Sequence, residues 1–136
     1  MTFEEIQIGT AIGPAEVFVS KDQTRRYARS CGLDAPRFTD DEGAKKEGLP
    51  GMIMPGNMSL GLLTKLVTDW IGTSVARVVR MGTTYRVPVL PDHTLTLQGF
   101  VTHTYPEQRQ CEIDVWIENE EAERLVTGTA TVEFGK

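Results

Sequence analysis

The stretch from Gly32 to Asn57 holds the residues whose types could support a reaction, and what is missing there matters as much as what is present. Asp34 and Asp40 are the first carboxylates to weigh. An Asp with the ordinary pKa near 3.9 is a poor base at neutral pH, and proton transfer normally needs a second titratable partner. No histidine lies in the stretch, and Leu33 and Phe38, on either side of Asp34, cannot move a proton. Asp34 is therefore a weak catalytic candidate whose simpler role is a solvated loop carboxylate or a helix-cap acceptor. Asp40 reads as the N-terminal anchor of a short helix, favoured by the helix dipole. The two histidines, His93 in Pro91-Asp92-His93 and His103 beside Thr104 and Tyr105, fall far along the chain and read as turn or surface residues.

Gly56 and Asn57 offer a different chemistry. At the opening of a helix their backbone amides point outward with the positive end of the helix dipole. Such amides receive a carbonyl oxygen or a developing enolate, where one donor is worth about 3 kcal/mol. Gly56 either lets a ligand come close to the backbone or simply makes the turn into the helix. The only cysteines, Cys31 and Cys111, form no CxxC pair. Neither a disulfide framework nor a metal site is expected, and no cofactor is implied.

These groups need elements to position them. Ala15 to Val19 is a strand candidate, and Ser20 with Gln23 makes a capping box that opens a helix through about Ser30. Thr39 with Glu42 repeats the pattern and opens a short helix through about Glu47. LPGMIMPG then supplies two prolines and two glycines, so it is irregular. One strongly periodic helix follows: Met58, Leu62, Leu66 and Trp70 lie four apart with Leu63 and Val67 beside them. Asn57 is its expected N-cap and Gly72 its stop.

From Val75 onward the period is two. Leu95, Leu97, Gly99 and Val101 form one alternating set, Cys111, Ile113, Val115 and Ile117 a second, and Val126, Gly128, Ala130, Val132 and Phe134 a third. The links PVLPDH, YPEQ and NEEAE are too short for parallel crossovers and predict an antiparallel meander. One apolar helix followed by four long strands gives an α+β fold, a curved antiparallel sheet wrapped around one long central helix.

Composition sets the frame. The 136 residues suit a single domain spanning 1–136. A net charge of −5 with scattered basic residues argues against a nucleic-acid partner. The opening MTFEEIQIGT is not a secretory signal, and no apolar run is long enough for a membrane span, so a reducing cytoplasm is the expected location.

The segment from Tyr27 to Leu63 resembles the signature of the MaoC-like (R)-specific enoyl-CoA hydratases and hydroxyacyl dehydratases. That signature runs roughly Y-A-x-x-S-G-D-x-N-P-x-H-x-D, then A-x-x-x-G, then I-x-H-G-M at the opening of a long helix. Tyr27, Ala28, Gly32, Pro36, Asp40, Ala44, Gly48, Ile53 and Gly56 match it without a gap. The resemblance implies a hot-dog fold and chemistry on acyl thioesters. It also places the family's catalytic Asp at Leu33 and its His at Phe38, so the dyad that activates water is replaced. The family's Asn falls on Ala35, the His before the helix on Pro55 and the Met after it on Asn57. Met54-Pro55-Gly56 looks like the A-P-x form of a dehydratase branch that binds substrate without supplying the acid/base pair, with Met54 in place of Ala. Val67-Thr68-Asp69-Trp70 with Gly72, followed by Tyr85-Arg86-Val87-Pro88, is similar to small subunits of heteromeric steroid side-chain hydratases.

The resemblance therefore implies a pocket-shaping subunit that binds an acyl-CoA or acyl-carrier-protein thioester at Gly56 and Asn57. Such a subunit would pair with another hot-dog chain in a homo- or hetero-oligomer. A free sheet edge supports association on physical grounds. The alternatives are a self-contained hydratase, dehydratase or thioesterase with a rewired carboxylate such as Asp34, and a structural hot-dog domain with no thioester ligand.

Overall fold

The period-four apolar spacing becomes the central helix α4, Gly56–Ile71, in the computed structural model, which describes residues 1–135. Leu63 and Val67 are wholly buried, and Leu66 and Ile71 nearly so. Burial of each such side chain stabilises the fold by about 1.5–3 kcal/mol. Gly72 ends the helix at φ 76°, a conformation that costs glycine little. No described helix is long and apolar enough to cross a membrane.

Around α4 curls a five-stranded antiparallel sheet, β1 (Ala11–Val19), β2 (Ala76–Tyr85), β3 (His93–Tyr105), β4 (Gln110–Glu118) and β5 (Arg124–Phe134). The alternating sets predicted from sequence face the helix: Leu95, Leu97, Val101, Ile113, Val115, Ile117, Val126 and Val132 are all buried. Gly99, Val115 and Gly128 lie opposite one another on three adjacent strands. A Cβ at Gly99 would run into the Asp114 carbonyl oxygen before a Val115 methyl, and a Cβ at Gly128 would stand 2.9 Å from the Gly82 carbonyl oxygen and 3.3 Å from the other Val115 methyl, so the neighbouring backbone and then that valine leave no space for a side chain at either glycine. Cys111 shares this interior, and burial pushes its thiol pKa up to about 11.

The strand order is β1-β3-β4-β5-β2, which corrects the simple meander. β3, β4 and β5 do follow one another, but β2 pairs with β5 rather than with its neighbour in sequence, β3. The Arg86–Asp92 link therefore crosses the curl from the edge strand β2 to β3, the strand next to the opposite edge. Extended, it reaches about 23 Å, and three strand spacings along the sheet total about 14 Å, so the crossing is within its reach. The link contains Pro88 and Pro91, which have no N–H to give to a ladder. β1 starts at Ala11 rather than Ala15, with a register shift between Ile12 and Ala15.

Three shorter helices lie between β1 and α4 in the chain, α1 (Lys21–Ser30), α2 (Pro36–Thr39) and α3 (Asp41–Lys46), with α2 packed against the other two. The Ser20–Gln23 capping box is present in both directions. At α3 the cap is Asp40, whose carboxylate accepts from the Gly43 amide at 2.9 Å. Thr39 instead closes α2 and gives its hydroxyl to the Ala35 carbonyl. A carboxylate caps as well as a hydroxyl and adds its charge to the helix dipole, which explains the one-residue displacement.

Candidate functional site

The opening of α4 is fixed by the irregular segment before it. The Ile53 amide donates to the Arg37 carbonyl and the Met54 amide to the Val89 carbonyl, each at 2.8 Å, which fastens this segment to α2 on one side and to the crossing link on the other. The Met52 amide donates to the Asp41 carboxylate at 3.0 Å, and Lys21 pairs with the same carboxylate at 2.9 Å. The Met52 amide and then Lys21 hold the Asp41 carboxyl below its ordinary pKa. Pro55 follows, buried and extended at φ −58° and ψ 144°.

Pro55, not Asn57, occupies the N-cap of α4. The Pro55 carbonyl accepts from the Met58 and Ser59 amides, so the helix begins one residue before Asn57, whose side chain makes no cap bond. The backbone amides of Gly56 and Asn57 are in the first turn, and among the described residues neither donates to a protein acceptor. The pair expected to receive an oxygen is thus presented at a helix N-terminus.

Beside this helix end lies an open cavity of about 320 Å³, walled by Phe38, Ile53, Met54, Gly56, Ser59 and Tyr85 and completed by Arg37 and the Arg86–Val89 part of the crossing link. Phe38 contributes its ring there, with the Arg37 guanidinium 5.9 Å from the ring centroid. Leu33 is half-buried behind α1, its amide bonded to the Ala28 carbonyl at 2.7 Å, and it is not part of the cavity wall. Asp34 is exposed, outside that wall, and joins no side-chain hydrogen bond or ion pair among the described residues. His93 pairs with Glu120 at 2.7 Å, and His103 stacks on Tyr105; both are exposed and neither is in the cavity wall, although His93 lines a neighbouring hollow with Val87 and Pro88.

Tyr85 is the residue that sequence patterning does not single out. It stands at the end of β2 opposite Val126, and its hydroxyl donates to the Gly56 carbonyl at 2.9 Å across a separation of 29 residues. Its ring covers the Cα of Gly56: a Cβ there would meet the ring at 2.9 to 3.2 Å. Tyr85 itself accounts for a glycine at that position. Nearby, burial raises the Tyr27 phenol pKa above its ordinary value, with the hydrogen-bonded Cys31 thiol and then the Tyr85 phenol adding to the rise. No local signal in the sequence brings Tyr27 and Tyr85 together, because their meeting depends on β2 lying at the sheet edge beside β5.

A larger hollow of about 520 Å³ lies on the outer face of the sheet among Thr84, Arg86, Trp116, Arg124, Thr127 and Thr129. It contains no helix end. Trp116 is buried there beneath the Arg124 guanidinium, 3.9 Å from the ring centroid, so the cavity at α4 is the one with directed backbone donors.

The arrangement matches known proteins in both sequence and shape. A family model described as the MaoC like domain matches residues 4–124. No curated protein matches the sequence. Among solved structures, the chain is similar to the ChsH1-ChsH2 complex from Mycobacterium tuberculosis, with TM-score 0.85, 21% identity and coverage of 95% of this chain and 98% of that one. It is similar to the (R)-hydratase from A. caviae involved in PHA biosynthesis, with TM-score 0.88, 15% identity and coverage of 97% and 99%. A third likeness is to the HadBC (3R-hydroxyacyl-ACP dehydratase) complex from Mycobacterium tuberculosis, with TM-score 0.74, 19% identity and coverage of 92% and 96%. At these identities the structural likeness speaks for the hot-dog fold, whereas the family match spans most of the sequence: the chain belongs to the MaoC-like dehydratase domain family.

Proposed function

We propose that this chain is a thioester-binding, pocket-shaping subunit of a heteromeric enoyl-thioester hydratase or dehydratase. The amides of Gly56 and Asn57 receive the thioester carbonyl, and a second hot-dog chain supplies the proton-transfer groups. The observation that carries this reading is a pocket retained without its chemistry. The amides at the α4 N-terminus face no protein acceptor, while the wall beside them presents Phe38 and no carboxylate or imidazole. Two of the similar structures are themselves two-chain complexes, which supports a hetero-oligomeric setting. The exposed position of Asp34, away from the cavity wall, gives no support to a rewired carboxylate.

The test is calorimetry with butyryl-CoA and a hydration assay with crotonyl-CoA, run on the chain alone and co-expressed with a hot-dog chain bearing the intact Asp and His. The expected result is acyl-CoA binding, with hydration by the isolated chain at least about 10³-fold slower than by an intact family member. Full turnover by the isolated chain overturns the pocket-shaping role. Absence of acyl-CoA binding both alone and in the complex overturns the thioester reading.

A further inference from the structure

The outer face of the sheet carries a second set of directed donors, centred on Arg124. Its guanidinium lies over the buried ring of Trp116, 3.9 Å from the centroid. That ring is itself held: its Nε1–H donates to the Glu118 carboxylate at 2.7 Å, and Phe100 meets it edge-on with the centroids 5.9 Å apart. The same Glu118 oxygen accepts from the Gln98 side-chain amide at 2.9 Å. A guanidinium laid over an aromatic ring keeps its in-plane N–H groups for another acceptor. Arg26, Arg37, Arg77 and Arg109 each pair with a carboxylate, whereas Arg124 and Arg86 pair with none among the described residues.

Both of these arginines line the hollow of about 520 Å³ on this face. Strand register gives the hollow two unlike ends. Arg124 lies opposite Glu118, and the Arg86 amide bonds the Leu125 carbonyl, so the two arginines share the end next to Trp116. Asp114 is one same-face position further along β4, opposite Thr129, whose own partner on β2 is Gly82. There the Asp114 carboxylate accepts from the Thr129 hydroxyl at 3.5 Å, and Gly82 leaves the floor open, since a Cβ on it would meet nothing within 4 Å. Guanidinium forks without a partner select a phosphate, whose oxygens accept several such bonds at once, and a lone carboxylate selects a hydroxyl or amino donor. A phosphorylated nucleoside carries both.

Arg86 belongs to the wall of the α4 cavity as well, so the two hollows meet at the end of β2. An acyl-CoA holds its phosphates and adenosine at the far end of the arm that carries the thioester, whereas a carrier-protein thioester has one phosphodiester and no nucleoside. We propose that the outer-face hollow seats the adenosine 3′,5′-diphosphate end of an acyl-CoA, with Arg86 and Arg124 on its phosphates, and that the chain accordingly takes CoA thioesters in preference to carrier-protein thioesters. The acyl end of this assignment rests on the thioester reading above, whereas the phosphate seat stands on the arginines alone. Neither arginine takes part in bond making or breaking.

The experiment is calorimetry on the full chain at about 50 mM salt, where charge pairs are weakly screened, with adenosine 3′,5′-diphosphate, inorganic phosphate, butyryl-CoA and S-butyryl-pantetheine. The native protein is compared with Arg124→Gln and Arg86→Gln, and circular dichroism confirms that each folds. The native chain is expected to bind the adenosine diphosphate more tightly than inorganic phosphate, and butyryl-CoA about 10-fold more tightly than S-butyryl-pantetheine, the scale of a hydrogen bond between charged partners. Arg124→Gln is expected to weaken both nucleotide ligands by about 10-fold and to leave S-butyryl-pantetheine unchanged, and Arg86→Gln to weaken the adenosine diphosphate similarly. Equal affinities for butyryl-CoA and S-butyryl-pantetheine, inorganic phosphate bound as tightly as the nucleotide, or nucleotide affinity unchanged in both variants overturns the seat while leaving thioester binding in place. No binding of S-butyryl-pantetheine, with butyryl-CoA bound no more tightly than adenosine 3′,5′-diphosphate, instead overturns the thioester reading and keeps the seat.

Discussion

The β3–β5 sheet and the opening of α4 are held in opposite ways. In the sheet, Ile113, Ile117, Val126 and Val132 are completely buried and the strands contact one another along their whole length, so stability comes from apolar area with little polar detail. At the opening of α4, single hydrogen bonds do the positioning: Met54 to Val89, Ile53 to Arg37, Met52 to Asp41 and Tyr85 to Gly56. The interior of the first region leaves no room for a void. The second is half open, with exact placement and modest stability, which suits a surface that receives a ligand.

The sharpest way to break this contrast is to cut into the sheet. Ile113→Ala should lower unfolding free energy by about 2–5 kcal/mol in urea titrations, since it leaves a void in a fully buried layer. Its acyl-CoA affinity, measured below the melting transition, should stay near the native value. A parallel loss of affinity would mean that the two regions are one cooperative unit.

Gly56→Ala has a smaller and more diagnostic effect. The added methyl meets the Tyr85 ring at 2.9 Å, and because that ring is half exposed it can swing away, so a loss of about 1 kcal/mol is expected. In a Tyr85→Ala background the same change should be neutral or slightly stabilising, because alanine is the better helix former. A double-mutant cycle of melting curves reads this directly. Equal losses in both backgrounds would show that something other than Tyr85 requires the glycine.

The smallest expected effect is the pH dependence of the strap between Met52 and α3. Asp41 has a folded pKa below its ordinary value, so its carboxylate contributes stability that is present above the unfolded pKa, near 3.9, and is lost as pH falls through the folded value. Native thermal stability should decline more steeply below about pH 4 than that of Asp41→Asn, whose amide oxygen still accepts from Met52 without titrating. Matching acid limbs in the two proteins would remove Asp41 from the strap.

Sequence periodicity was legible wherever burial repeats. Leu95, Leu97 and Val101, or Leu63 and Val67, follow directly from spacing because the water-facing alternates are polar. Strand order was not legible beyond β3–β5, since the link from β2 to β3 is only slightly longer than the hairpin links that follow it and nothing in it states that it crosses the curl. The site was legible in part. Gly56 and Phe38 share the wall of one cavity, but Asn57 is neither in that wall nor the cap, and Leu33 and Asp34 also lie outside the wall. Tyr85 escaped because its partner is the Gly56 carbonyl, a group that every residue possesses and that no residue type announces.

The placement of β2 has a consequence for biosynthesis. Among the described residues its strand partner is β5, the last strand of this sheet in chain order, just as β1 must wait for β3. While the ribosome is still extending the chain, α4 and β2 exist with their apolar faces uncovered, and local contacts cannot close the curl around them. Closure of the curl is therefore delayed until β5 has emerged. A nascent chain stalled before β5 is a sticky intermediate that invites a chaperone or another unfinished subunit.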